Sequence, residues 1–206
     1  EMGFTHDACV ELLNQIPGYQ VQFEAVFGGP ATIDAVGKAL ATFERTILSG
    51  GSKNDHYERA LPFFDFDPEG EDPELVAKAD RLLDLESEHR MSLSAERGRE
   101  LFFGKASCSQ CHVGNDMSDE MFHNIGVGMD ADEPDWGRFV VTGEEQDKGA
   151  FKTPPLRNIT HSAPYMHDGS MATLMEVVEH YDKGGTPNEW LSEKMFPLKL
   201  TEQEKQ

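Results

Sequence analysis

Apolar residues recur every three or four positions in four stretches of this chain, the spacing that gives a helix one buried face. After Thr5, which can cap a helix, come Cys9, Leu12, Leu13 and Ile16; this predicts an amphipathic helix ended by Pro17-Gly18, with Cys9 in its core face. After Gly28-Gly29-Pro30, residues Ile33, Val36, Leu40, Phe43 and Ile47 predict a second helix that stops at Gly50-Gly51. Gly98, Leu101 and Phe102 share one side of a helix over residues 94–103, and Leu174, Val177, Val178 and Tyr181 share one side of another. Near the end, Thr201 and Glu204 form a T-x-x-E capping box that opens a further helix. No stretch alternates as a strand would, so the expected fold is all-α.

Between these helices lie two stretches of different character. Residues 62–88 are acidic and punctuated by Pro62, Pro68, Gly70 and Pro73, and predict a solvated connector with one helix around Leu75, Leu82, Leu83 and Leu85. Their carboxylates lack the D-x-D-x-D-G spacing and closing glutamate of a calcium loop. Residues 113–149 form a long stretch dotted with glycine.

The whole chain has 206 residues, 38% of them hydrophobic, with a mean hydropathy of -0.53, enough for one or two small domains. No apolar run is long enough to cross a membrane. With 38 acidic against 18 basic residues the net charge is -20, which argues against nucleic acid and anionic membrane surfaces as partners and favours a basic protein.

One short motif adds specific chemistry. Cys108-Ser109-Gln110-Cys111-His112 has the C-x-x-C-H form by which c-type haem is attached. The two cysteines add across the porphyrin vinyl groups, and the adjacent histidine is thereby held under the iron as its proximal ligand. A zinc site would need more thiols, and the only other cysteine, Cys9, stands about a hundred residues upstream. A thioredoxin-like C-x-x-C would follow a strand, whereas a helix precedes this one.

A second block runs Phe151-Lys152-Thr153-Pro154-Pro155-Leu156-Arg157-Asn158, then Ala163-Pro164-Tyr165-Met166-His167-Asp168-Gly169, then Thr173-Leu174. In that order after C-x-x-C-H, it resembles the second haem domain of the bacterial di-haem cytochrome c peroxidases and the related MauG-type oxidases. The resemblance extends to Ile16-Pro17-Gly18-Tyr19, Phe43-Glu44-Arg45-Thr46 and residues 98–102. The acidic stretch over residues 64–88 is longer than the family pattern. Glu1-Met2 resembles the end of the family's N-P-x-E-M segment, whose glutamate stands over a peroxide-binding haem.

The resemblance implies a division of labour between two haems. One, upstream of these residues, meets hydrogen peroxide, with Glu1 as its acid-base group. The other, held by His112, relays electrons from a small donor protein, a cytochrome c or a copper protein. Its sixth ligand falls on Tyr181, where the peroxidases carry methionine and MauG-type proteins carry tyrosine; a phenolate would lower the reduction potential. The helical spacing is compatible with ligation by Tyr181 and equally with a core tyrosine whose hydroxyl is hydrogen-bonded. Met166, Met171 and Met175 are rival donors, although methionines at helical spacing commonly serve packing.

Arg157 and Lys152 are candidates to pair with haem propionates, surface ion pairs being the alternative. The turn at His167 is a candidate to orient the pocket. In the family, backbone carbonyls matching Ser162 and Pro164 bind Ca2+ between the haem domains. His6, His56, His89, His123, His161 and His180 have no spacing that separates them from surface residues.

The expected organisation is therefore residues 1–57 as helices closing an upstream haem domain, 58–92 as an acidic connector, and 93–206 as a cytochrome c-like domain. Both ends read as cut, since the chain begins at Glu1 and the capping box at Thr201 opens a helix just before it stops. No signal peptide is visible although haem c is attached outside the cytoplasm, so the protein reads as periplasmic, its signal lost to processing or truncation. The alternatives to a peroxidase half are a MauG-like oxidase of another substrate and a single-haem electron carrier without catalysis. A homodimer is compatible with the resemblance.

Overall fold

A computed structural model describes residues 4–206, so Glu1, the proposed acid-base group, lies outside the described residues. The chain divides into two compact units, Glu1–Ser49 and Gly50–Gln206.

The first unit holds three helices. Helix α1, His6–Gln15, starts where Thr5 Oγ1 accepts the Ala8 amide at 3.2 Å. Pro17 does not end the helical run. It takes the first position of α2, Pro17–Phe27, where its missing N–H would have had no partner, and only Ile16 is extended between the helices. Helix α3, Ile33–Glu44, is capped by Thr32 and ends at Arg45, so Ile47 lies beyond it rather than within it.

A small core of Phe23, Ala31 and Ala35 joins these helices, with Leu13 and Val36 packed against it. Asn14 fastens the turn, accepting the Ala31 N–H at 2.8 Å and donating to its carbonyl at 3.0 Å. The apolar stripe expected to be buried is mainly exposed within this unit: Leu12, Ile16, Ile33, Leu40, Phe43 and Ile47 all face outward.

The second unit begins with α4, Lys53–Ala60, under a reciprocal capping box of Ser52 and Asp55. A 3₁₀ turn, Leu61–Phe63, and an acidic loop lead to α5, Pro73–Glu88, which buries Ala79, Leu82 and Glu86. Helix α6, Leu93–Phe103, is tied to α4 by Arg99. Its guanidinium meets Glu58 at 2.6 Å and lies 4.9 and 4.8 Å from the Tyr57 and Phe103 rings. The acidic stretch is thus one helix and one loop of the second unit.

The remainder is loop with short elements. Strand β1, Phe122–His123, pairs antiparallel with β2, Phe151–Lys152, in the register Phe122 to Lys152. Helix α7, Phe139–Thr142, precedes α8, Leu174–Lys183, and α9, Glu202–Lys205. Strand content is minimal and the fold is helical, as the periodicity implies. Among the described residues no helix is long and apolar enough to cross a membrane.

A candidate haem cleft

Helix α6 stops at Gly104, and the chain turns through Ser107, in a left-handed conformation, into a 3₁₀ turn at Cys108–Gln110. Two bonds to the Cys108 carbonyl, from the Cys111 amide at 3.2 Å and the His112 amide at 3.0 Å, fix the turn. This folding brings Cys108, Cys111 and His112 onto one wall of an open, mainly apolar cleft. Ile125 and His123 line a second side, Tyr181 enters from α8, and Met195, Phe196 and Leu198 come from the last segment.

The His112 imidazole keeps one ring nitrogen open to a metal-bearing ligand. His112 Nδ1 lies 2.8 Å from the Met117 carbonyl, and burial holds its pKa below the usual histidine value. The ring is therefore neutral at pH 7, with Nδ1–H donating to the carbonyl, and the Nε2 lone pair is free, the arrangement expected of a metal-ligating histidine. Burial also raises the pKa of both the Cys108 and Cys111 thiols.

Tyr181 completes the set. Helix α8 is fixed at its start by the Thr173 and Glu176 capping box and near its end by His180, whose Nε2 lies 2.9 Å from the Ile125 carbonyl. This directs Tyr181 into the cleft, where burial pushes its pKa up to about 12. Among the described residues its hydroxyl meets no hydrogen-bond partner. The phenol oxygen opens into the cleft without a protein hydrogen bond, so it is available to an iron ion held there. Two thiols, a free imidazole nitrogen and a phenol that makes no protein hydrogen bond, around an apolar cleft, fit a haem attached at the C-x-x-C-H motif.

A charged network braces the motif from behind. The Asp119 amide donates to the Cys111 carbonyl at 2.7 Å, while its carboxylate takes the His123 imidazole at 2.8 Å and Lys194 Nζ at 3.3 Å. Lys194 also donates to the Gln110 carbonyl at 2.8 Å. Burial pushes the Asp119 pKa up, but hydrogen bonds from His123 and Thr153 outweigh it and keep the carboxyl well below its usual range. Donor atoms of Cys111, Asp119 and His123 lie within 4.8 Å of one another, the spatial form of the zinc alternative, but this trio is one ligand short of a closed structural site.

Other sequence candidates lie apart from the cleft lining. Arg157 is engaged twice by Asp55, each bond 3.0 Å, and donates from Nε to the Asn115 carbonyl at 2.6 Å. Lys152 pairs with Glu120 at 2.6 Å. Tyr165 and Met171 form an isolated β-bridge, Met175 is 41% exposed, and neither Met166 nor Met171 lines the cleft. The His167 ring stacks on Phe151 at 3.6 Å. Ser162 and Pro164 are exposed.

Two histidines read as surface residues are not: His180 is 4% exposed, and His123 lines the cleft. His123, Lys194 and Met195 carry no motif. Their placement follows from the pairing of β1 with β2 and from the return of the last segment, neither of which local spacing encodes.

A helical fold with C-x-x-C-H at the edge of an apolar cleft, a histidine prepared for ligation and a second donor on a later helix define a cytochrome c-like domain. Comparison with known proteins narrows this. Residues 1–60 match the family model of the di-haem cytochrome c peroxidases. The chain is 35% identical to the methylamine utilization protein MauG of Methylorubrum extorquens over 100% of this chain and 51% of the relative. It is 35% identical to the cytochrome c551 peroxidase of Nitrosomonas europaea over 87% of this chain and 46% of the relative.

Among solved structures, a MauG-like protein associated with microbial copper homeostasis superposes with a TM-score of 0.65 at 29% identity, over 97% of this chain and 59% of that one. Along nearly its whole length the chain is similar to di-haem cytochrome c peroxidases and MauG proteins, and it spans about half the length of the curated relatives it matches.

Proposed function

We propose that this chain is the haem c electron-transfer part of a di-haem oxidoreductase of the peroxidase and MauG type. The observation that carries the reading is the unpartnered Tyr181 hydroxyl in the cleft that also holds Cys108, Cys111 and the free Nε2 of His112. Cys108 and Cys111 would hold the porphyrin by thioether bonds, and His112 and Tyr181 would supply donor atoms to its iron. When bound, the haem supplies one-electron chemistry. These residues would set which oxidation state is preferred: a phenolate donor together with a neutral imidazole would favour ferric over ferrous iron and keep the potential below that of a His/Met haem.

Residues 1–57 then close a second haem domain carried by the rest of the protein, where hydrogen peroxide takes up two electrons and two protons to give water. The half-length match to the relatives supports this. The electrons come from a small basic donor protein outside the cytoplasm, drawn by the net charge of -20. The tyrosine at position 181 also favours a second reading, a MauG-like oxidase of another substrate, since the family's peroxidases carry methionine there.

Tyr181→Phe in the full-length holoprotein tests the ligation. The ferric absorption spectrum should change and the iron should take up external anions more readily, while haem content stays constant. A spectrum identical to that of the wild type removes Tyr181 from the iron.

A further inference from the structure

Met195 is a thioether in the wall of the same cleft, and no sequence pattern marks it. Its place is built by two glycines. Gly184 and Gly185 end α8 with φ of 85° and 76°, a region that favours glycine, and the segment from Met195 to Pro197 lies directly against them. A Cβ on Gly184 would stand 2.8 Å from the Pro197 nitrogen, and one on Gly185 would stand 2.5 Å from the Ile125 carbonyl and 3.0 Å from the Met195 methyl. The helix that delivers Tyr181 thus ends in a glycine seat for the end of the Met195 side chain, and both residues face one cleft.

The two donors suit different iron. An anionic phenolate prefers the ferric state, whereas a neutral, soft thioether prefers the ferrous one. We propose that Met195 is a second ligand for this haem iron, taking the sixth position whenever Tyr181 does not hold it, as on reduction to the ferrous state. The proposal rests on the reading that Tyr181 ligates the ferric iron. The electron that reduces the iron comes from the donor protein, the phenolate that leaves takes a proton from solvent, and the Met195 sulfur lone pair fills the vacated position, so ligand exchange would be linked to electron transfer.

Four forms of the full-length holoprotein test it: wild type, Tyr181→Phe, Met195→Leu and the double variant. Leucine nearly conserves the volume of methionine, so packing is little disturbed, and a pyridine haemochrome assay confirms equal haem content. Ferric Tyr181→Phe should stay low-spin with a thioether-to-iron charge-transfer band, and the double variant should lose both. Ferrous Met195→Leu should lose the six-coordinate signature that the ferrous wild type shows.

A ferric Tyr181→Phe protein that is high-spin and unchanged by adding Met195→Leu overturns the proposal. A Tyr181→Phe spectrum identical to wild type instead overturns the ligation by Tyr181 and the exchange with it. Loss of the wild-type ferric low-spin spectrum in Met195→Leu alone would make Met195 the resident ligand, which also overturns the exchange.

Discussion

Asp55 and Arg157 show how one pair of side chains can join distant parts of a sequence. The guanidinium takes both Asp55 oxygens and the Asn115 carbonyl, linking the start of α4 to the loop after the C-x-x-C-H turn. Hydrogen bonding from Arg157 holds the Asp55 pKa at about 2, below its ordinary 3.8. Because the folded value is the lower one, the stabilisation is complete at neutral pH and is lost as the pH falls from about 4 to about 2. Asp55→Asn should cost about 1.5–3 kcal/mol at pH 7, the range for hydrogen bonds to charged groups. Urea unfolding at pH 7 and pH 3 would check this, since the variant should lose less stability on acidification than the wild type.

The same scale separates what the sequence could reveal from what it could not. Cys108, Cys111 and His112 are adjacent in the chain, so their chemistry is legible as a motif. Met195 and His123 reach the cleft only through tertiary folding and carry no pattern of their own. Arg157 was a candidate for haem propionates, and its partner Asp55, 102 residues away, could not be read from spacing.

At the scale of elements, caps were the most readable signal. Thr5, Thr173 and Thr201 each open a helix with the expected side-chain to amide bond, because that geometry needs only residues within one turn. Helix α2 is hidden in the sequence because Pro17-Gly18 reads as a break, although proline at the first helical position is compatible with a new start. Helix α3 stops short of Gly50 because the backbone turns at Arg45 despite the apolar spacing continuing to Ile47.

Helix α8 offers the sharpest test at this scale. Thr173→Ala removes the side-chain half of the capping box, the bond from the Glu176 amide to the threonine hydroxyl, and should lower stability by about 1 kcal/mol. It should also loosen the helix that aims Tyr181, which would be seen as faster uptake of external ligands by the ferric haem. Unchanged ligand uptake would separate the cap from the placement of Tyr181.

For the whole molecule, charge and cofactor number carry the functional reading. A net charge of -20 implies that association with a basic donor protein slows steeply as salt is added, because screening shortens the range of the attraction. Stopped-flow mixing at several ionic strengths measures this directly, and a salt-independent rate would remove electrostatic steering. The exposed apolar residues of α1 and α3 are compatible with the proposal that residues 1–57 close a further haem domain; helical spacing marks a face as apolar without saying what covers it.

The count of covalent haems in the native full-length protein tests the central claim most directly, by intact mass beside a pyridine haemochrome assay. The account predicts two haems per chain, and one when Cys108 and Cys111 are both replaced by alanine. One haem in the unaltered protein would contradict a di-haem enzyme and leave an electron carrier. An unchanged count in the double alanine variant would contradict the cleft itself.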